Sequence, residues 1–154
     1  MGIRHKFTSS KPEGADSSVV RPSNWNDDHN FPPLVVPLVN ASVTWTNMPN
    51  AATEFTGLPR TKYDLTHSDQ VRLVVCVGVA TAAAATLKIQ YSTDQAAWSD
   101  LTSTLGSLNS TGAKAGAWEN VPAGAKADVF LRVQGAGGDG TLDPQFRLIQ
   151  LQVR

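Results

Sequence analysis

Residues 70–79 read Gln70-Val71-Arg72-Leu73-Val74-Val75-Cys76-Val77-Gly78-Val79, the most apolar run in the chain. Val71, Leu73, Val75, Val77 and Val79 fall on one face at a period of two, and Arg72, Val74, Cys76 and Gly78 fall on the other. That pattern predicts a central β-strand with one face in a core. The opposite face, with Val74 and Cys76 behind a leading charge, is expected to be half covered by a neighbour or a partner.

Moving outward toward the C-terminus, the same period returns in shorter runs. Thr86–Ser92 places Leu87, Ile89 and Tyr91 inward and Lys88 and Gln90 outward. Asp94 is expected to cap the following turn, with Trp98 opening the return strand and the two aromatics, Tyr91 and Trp98, pairing across it. Ala80–Thr86 holds four alanines in a row but is too short for a helix between two strands, so it reads as a loop or single turn. Ser103–Gly116, rich in Gly, Ser, Thr and Asn, reads as a long surface loop pinned by Leu105 and Leu108. The β pattern resumes around Trp118. Asp128–Gln134 and Gln145–Val153 then give two more strands, with Val129, Leu131 and Val133 and then Ile149, Leu151 and Val153 inward. The chain ends with that last strand.

Toward the N-terminus lie Ala41–Thr46 with Val43 and Trp45 on one side, a short β segment at Thr53–Thr56, and Lys62–Leu65, separated by turns at Met48-Pro49-Asn50 and Gly57-Leu58-Pro59. Eight or nine short strands with almost no helical period predict an all-β fold, an antiparallel β-sandwich of jelly-roll-like type spanning residues 41–154.

Residues 1–40 differ. Pro12, Pro22, Pro32, Pro33 and Pro37 interrupt any long regular element, yet Phe7, Val20, Trp25, Phe31 and their neighbours carry more apolar bulk than a solvated tail. The segment reads as an extended N-terminal arm ending in a Pro-rich connector, Phe31–Val39, and fully extended it would reach at most roughly 130 Å. Within it, Ser23, Asn24, Asn26 and Asp27 can close turns on the backbone and leave Trp25 projecting. Asp27, Asp28 and His29 are adjacent and point in different directions, so no metal is expected there.

Composition narrows function. Thirteen basic and thirteen acidic residues leave no net charge, which removes the electrostatic case for nucleic acid or an anionic membrane. The first ten residues lack the apolar run of a signal peptide, and no stretch approaches the roughly 20 apolar residues of a membrane span. The single cysteine, Cys76, forms no internal disulfide and reads as an inert, small buried hydrophobe. Asp139-Gly140-Thr141-Leu142-Asp143 hints at calcium, but lacks the alternating oxygen ligands and distal Glu of such loops and reads as a glycine turn with an Asp cap. His5, His29 and His67 share no local pattern with a nucleophile, so neither an enzyme nor a cofactor is expected. Trp98 reads first as cross-strand packing. A sugar-stacking row of Tyr91, Trp98 and Trp118 is the functional alternative, that of a carbohydrate-binding module.

His5-Lys6-Phe7, Gly14-Ala15-Asp16, the run Val20-Arg21-Pro22-Ser23-Asn24-Trp25-Asn26 and His29 together resemble the N-terminal motif of a group of tailed-bacteriophage virion proteins, tail-fibre-like and head-associated ones among them. The remainder, from Trp45 on, is similar to the small β-domain that often accompanies this motif. The resemblance implies a structural protein made in the host cytoplasm and carried on the exterior of the particle. Its partners would be the major capsid protein or other virion proteins, in a homo-oligomer such as a trimer. Phe7, Val20, Arg21, Pro22, Trp25, His29 and Phe31 are the arm residues expected to touch that partner. A short chain that stops with its domain favours a capsid decoration protein over a tail fibre or tail-associated adhesin, whose alternative partner would be a host surface glycan.

Overall fold

The computed structural model describes residues 2–3, 29–30, 33–56, 58, 60–80, 85–106, 108–141 and 143–154. The chain divides into two compact units, Met1–Pro33 and Leu34–Arg154. In the first, β1 (Gly2–Ile3) pairs antiparallel with β2 (His29–Asn30), Ile3 opposite His29. That pairing of residues 2–3 with residues 29–30 has no counterpart in the sequence pattern. Of the arm residues singled out, only His29 is described. Phe7, Val20, Arg21, Pro22, Trp25 and Phe31 lie outside the described residues.

The second unit begins with β3 (Leu34–Val39), β4 (Val43–Thr44), β5 (Thr53–Glu54), β6 (Thr61–Asp64) and β7 (Gln70–Val79). It continues through β8 (Thr86–Ser92), β9 (Ser99–Asp100), β10 (Gly112–Ala115), β11 (Glu119–Asn120), β12 (Asp128–Ala136) and β13 (Gln145–Val153). Sheet 1 runs β10-β7-β13-β3, with β11 also on β7 and β4 also on β13. Sheet 2 runs β5-β12-β8-β9, with β6 also on β12. Taking β3/β4, β5/β6 and β10/β11 as single broken strands leaves eight positions, four to a sheet. Except at the β8–β9 hairpin, each step along the chain crosses to the other sheet. That is the antiparallel jelly-roll sandwich the periodicity predicts. Among the described residues no helix is long and apolar enough to cross a membrane.

The core lies between the sheets. Val71, Leu73, Val75 and Val77 of β7 and Ile149, Leu151 and Val153 of β13 meet Leu87 and Ile89 of β8 and Val129, Leu131 and Val133 of β12, all buried. Each such aliphatic side chain contributes about 1.5–3 kcal/mol by leaving water, so these strands supply most of the driving force. One end of the core is closed by aromatics: Trp45 stacks on Phe55 at 4.4 Å and 11°, and Phe55 meets Phe146 edge-on at 6.1 Å. Two glycines make room there. A Cβ on Gly135 would sit 2.4 Å from the Trp45 ring, and one on Gly138 would sit 1.9 Å from the Met48 carbonyl oxygen.

Several expectations need correction. Leu34–Val39 is not a spacer: β3 pairs with β13 along its length and buries Val36, Leu38 and Val39. Pro37 is compatible with this because β3 lies at the sheet's edge, where a missing N–H need not break a ladder. The pairing shifts register between Ile149 and Gln150, a bulge that takes up Leu38. The loop expected over Ser103–Gly116 contains β10, whose Gly and Ala residues have little β propensity of their own but complete the free edge of β7. Val79 is 50 % exposed because it closes β7 opposite Gln145, past the last buried row. Cys76 is half-buried on the outer face of sheet 1 instead of lying in the core.

Candidate binding surfaces of the sandwich

The outer face of sheet 2 is a closed ionic network around Trp98. In the β8–β9 hairpin Tyr91 lies opposite Ser99, so Tyr91 and Trp98 project to opposite faces and the expected cross-strand aromatic pair does not form. Tyr91 packs against the core, its hydroxyl 2.9 Å from where a Cβ on Gly124 would be. Trp98 lies under two guanidinium groups, Arg132 at 4.3 Å and Arg60 at 5.2 Å from its ring centroid. Both cations bind Glu54: Arg60 through Nε at 3.0 Å and Nη2 at 2.9 Å, and Arg132 through Nη1 at 3.2 Å. Arg132 also donates from Nε and Nη2 to Gln90 Oε1, and Gln90 donates to Asp100. This explains why Gln90, on the outward side as predicted, is only 7 % exposed. The Arg60 hydrogen bond, reinforced by the charges of Arg60 and Arg132, holds the Glu54 carboxyl below its ordinary pKa against the opposing effect of burial.

The hairpin turn is built as the sequence predicts. Asp94 accepts hydrogen bonds from the amides of Ala96 (2.8 Å) and Ala97 (3.1 Å) and from Ser92 Oγ (2.9 Å), and these bonds, the Ala96 amide first, lower its pKa. In the glycine-rich segment Asp139 accepts from both the amide and the hydroxyl of Thr141 at 2.8 Å, while Asp143 accepts from the Asn47 amide at 2.7 Å. Asn47 adopts φ 52°, so Asp143 stabilises a left-handed turn residue.

The outer face of sheet 1 has a different chemistry. Arg72 lies 4.5 Å and Arg154 4.4 Å from the centroid of Trp118, which sits between β10 and β11 and is half-buried. Arg72 donates from Nε to Gln152 Oε1 at 2.8 Å, and Arg154 donates from Nε at 2.8 Å, and also from Nη2, to Gln70 Oε1. Toward the middle of the face the antiparallel register sets Ala113, Cys76 and Leu148 in one row and Ala115, Val74, Gln150 and Pro37 in the next. Val35 follows beside Gln152 and is 42 % exposed.

Tyr91, Trp98 and Trp118 therefore stand in three different environments, one against the core and two on opposite outer faces, and make no row for a sugar chain. A shallow depression beside Lys88 and Gln134 has a volume of about 160 Å³. Pockets for small molecules start at about 300 Å³. Trp118 was visible to sequence reasoning. Arg72 and Arg154 were not, because only the pairing of β7 with β13 brings them to the same ring. A scan against family models and a search of curated proteins find no match for this chain.

Proposed function

We propose that this chain is a structural protein of a phage particle, a capsid decoration protein that docks through its N-terminal arm onto the major capsid protein or another virion protein. The single observation that carries the reading is the arm motif itself, Val20-Arg21-Pro22-Ser23-Asn24-Trp25-Asn26 with His29, an aromatic anchor among turn-forming residues. The fold is compatible with it. In β3, the strand that follows the arm in sequence, Leu34 is 61 % and Val35 42 % exposed, so apolar side chains are open to a partner where the sandwich begins. Isolated exposed aliphatics are ordinary, but a run entering from an apolar arm is the composition of a contact surface. Trimers on the particle exterior are the form this reading favours. Comparing images of purified particles made with and without the chain tests it: added density on the capsid surface is expected, and density at the tail tip instead would favour an adhesin.

A further inference from the structure

The two outer faces differ in how their charges are satisfied. On sheet 2 every cation meets a carboxylate: Arg60 and Arg132 meet Glu54, Lys88 meets Asp100 at 2.8 Å and Lys62 meets Asp128 at 3.1 Å. On sheet 1 Arg72, Arg147 and Arg154 make no ion pair among the described residues. The only acid in the strands of that sheet is Glu119, whose carboxylate is taken by the amide and hydroxyl of Ser103 at 2.7 to 3.0 Å. Arg147 crosses Gly78, where a Cβ would come within 3.1 Å of its Nε.

We propose that Arg72, Trp118 and Arg154 form a binding site, on the outer face of sheet 1, for a carboxylate side chain of a partner protein. The guanidinium groups are already oriented. Each lies over the same indole ring and donates its Nε–H to a glutamine oxygen, so part of its rotamer freedom is already lost before binding. Both Nη groups of Arg72 and Nη1 of Arg154 have no protein acceptor among the described residues. Those N–H groups are the forked donors that a carboxylate accepts. Glutamine as the supporting residue matters: it orients the guanidinium without neutralising it, whereas Glu54 on the other sheet does both.

The neighbouring rows select the partner. Half-buried Val74, Cys76 and Leu148 and exposed Pro37 offer beside the arginines an apolar surface that a protein side chain complements and a phosphate backbone does not. A second copy docking by this same face would set three arginines and no acid against themselves. The Trp118 ring is already stacked by cations, so it is not offered to a sugar. A protein surface with an Asp or Glu beside aliphatic side chains fits. The site stands whether or not the chain serves in a particle, because its test is made on the isolated protein.

That test follows the Arg Nε–Hε and Trp indole signals of the full-length, nitrogen-15-labelled chain in NMR spectra. The probes are N-acetyl-glutamate amide, the neutral N-acetyl-glutamine amide, glucuronic acid and inorganic phosphate. The expected result is a saturable shift of Arg72, Arg154 and Trp118 with the glutamate probe. Arg60 and Arg132, whose carboxylate is already in place, stay still, and the glutamine probe has no effect. Arg72→Gln and Arg154→Gln should each weaken binding about tenfold, the loss of one charge-assisted hydrogen bond. No saturable shift, equal responses at Arg60 and Arg132, or equal effects of the glutamate and glutamine probes would overturn the site. Tighter saturation by phosphate or glucuronate than by the glutamate probe would overturn the choice of a protein carboxylate as its ligand.

Discussion

Gly135→Ala is the smallest substitution that should expose how the aromatic end of the core is packed. The added methyl carbon would lie 2.4 Å from Cζ3 and 2.7 Å from Cη2 of Trp45, and 2.9 Å from Cε of Met48. Ordinary carbon contacts are about 3.5–4.0 Å, so the indole must move by about 1 Å. It has nowhere free to go: Trp45 is buried and stacked on Phe55, which in turn packs on Phe146. Overpacking of this kind costs about 1–3 kcal/mol, offset by up to about 1 kcal/mol from the reduced freedom of the unfolded chain. A net loss of about 1–2 kcal/mol should lower the melting temperature by about 4–8 °C for a domain of this size. Gly106→Ala is the matched control, since a Cβ there meets nothing within 4 Å. Thermal and urea unfolding of Gly135→Ala, Trp45→Phe and the double mutant complete the test. A smaller ring should recover part of the loss, with a coupling of at least about 0.5 kcal/mol. If Gly135→Ala melts with the parent, or its effect simply adds to that of Trp45→Phe, the close approach described here is wrong.

Adjacent positions on β7 should respond oppositely. Val75→Asp places an unpaired charge in the core and should abolish cooperative unfolding, whereas Cys76→Ser on the outer face should cost less than about 1 kcal/mol, both read by circular dichroism on heating. Acid should weaken the domain through Glu54. Its folded pKa lies below the unfolded one, so its contribution is fully present above the unfolded value and disappears as pH falls through the folded value. In urea titrations from about pH 5 down to about pH 3, Glu54→Gln should therefore lose stability less steeply than the parent, and equal slopes would remove Glu54 from the explanation.

The long inner strands β7, β8, β12 and β13 were legible because each buries one face deeply enough to force a period of two on the sequence. The edges were not. β3 carries Pro37 among its valines, and β10 is Gly-Ala-Lys-Ala, so nothing local marks either as a strand. Both exist because β13 and β7 present unpaired backbone to them. The same limit applies to the surface clusters. Alternation told that Arg72 and Val74 share a face, but Trp118, Arg154 and Gln152 join them only through strand pairing over long separations. Trp98 beside Tyr91 looked like a cross-strand pair, and the one-residue register of the hairpin sent them apart.

The proposal that the arm anchors this protein is tested most directly by Trp25→Ala, measured as incorporation into particles alongside the melting temperature of the isolated chain. A buried aromatic at an interface contributes about 2–4 kcal/mol, roughly 30- to 1,000-fold in affinity. The mutant should therefore melt close to the parent and be lost from particles, while the parent remains bound at moderate salt as an apolar contact should. A mutant that still decorates particles like the parent, or that unfolds on its own, would contradict the anchoring role given to Trp25.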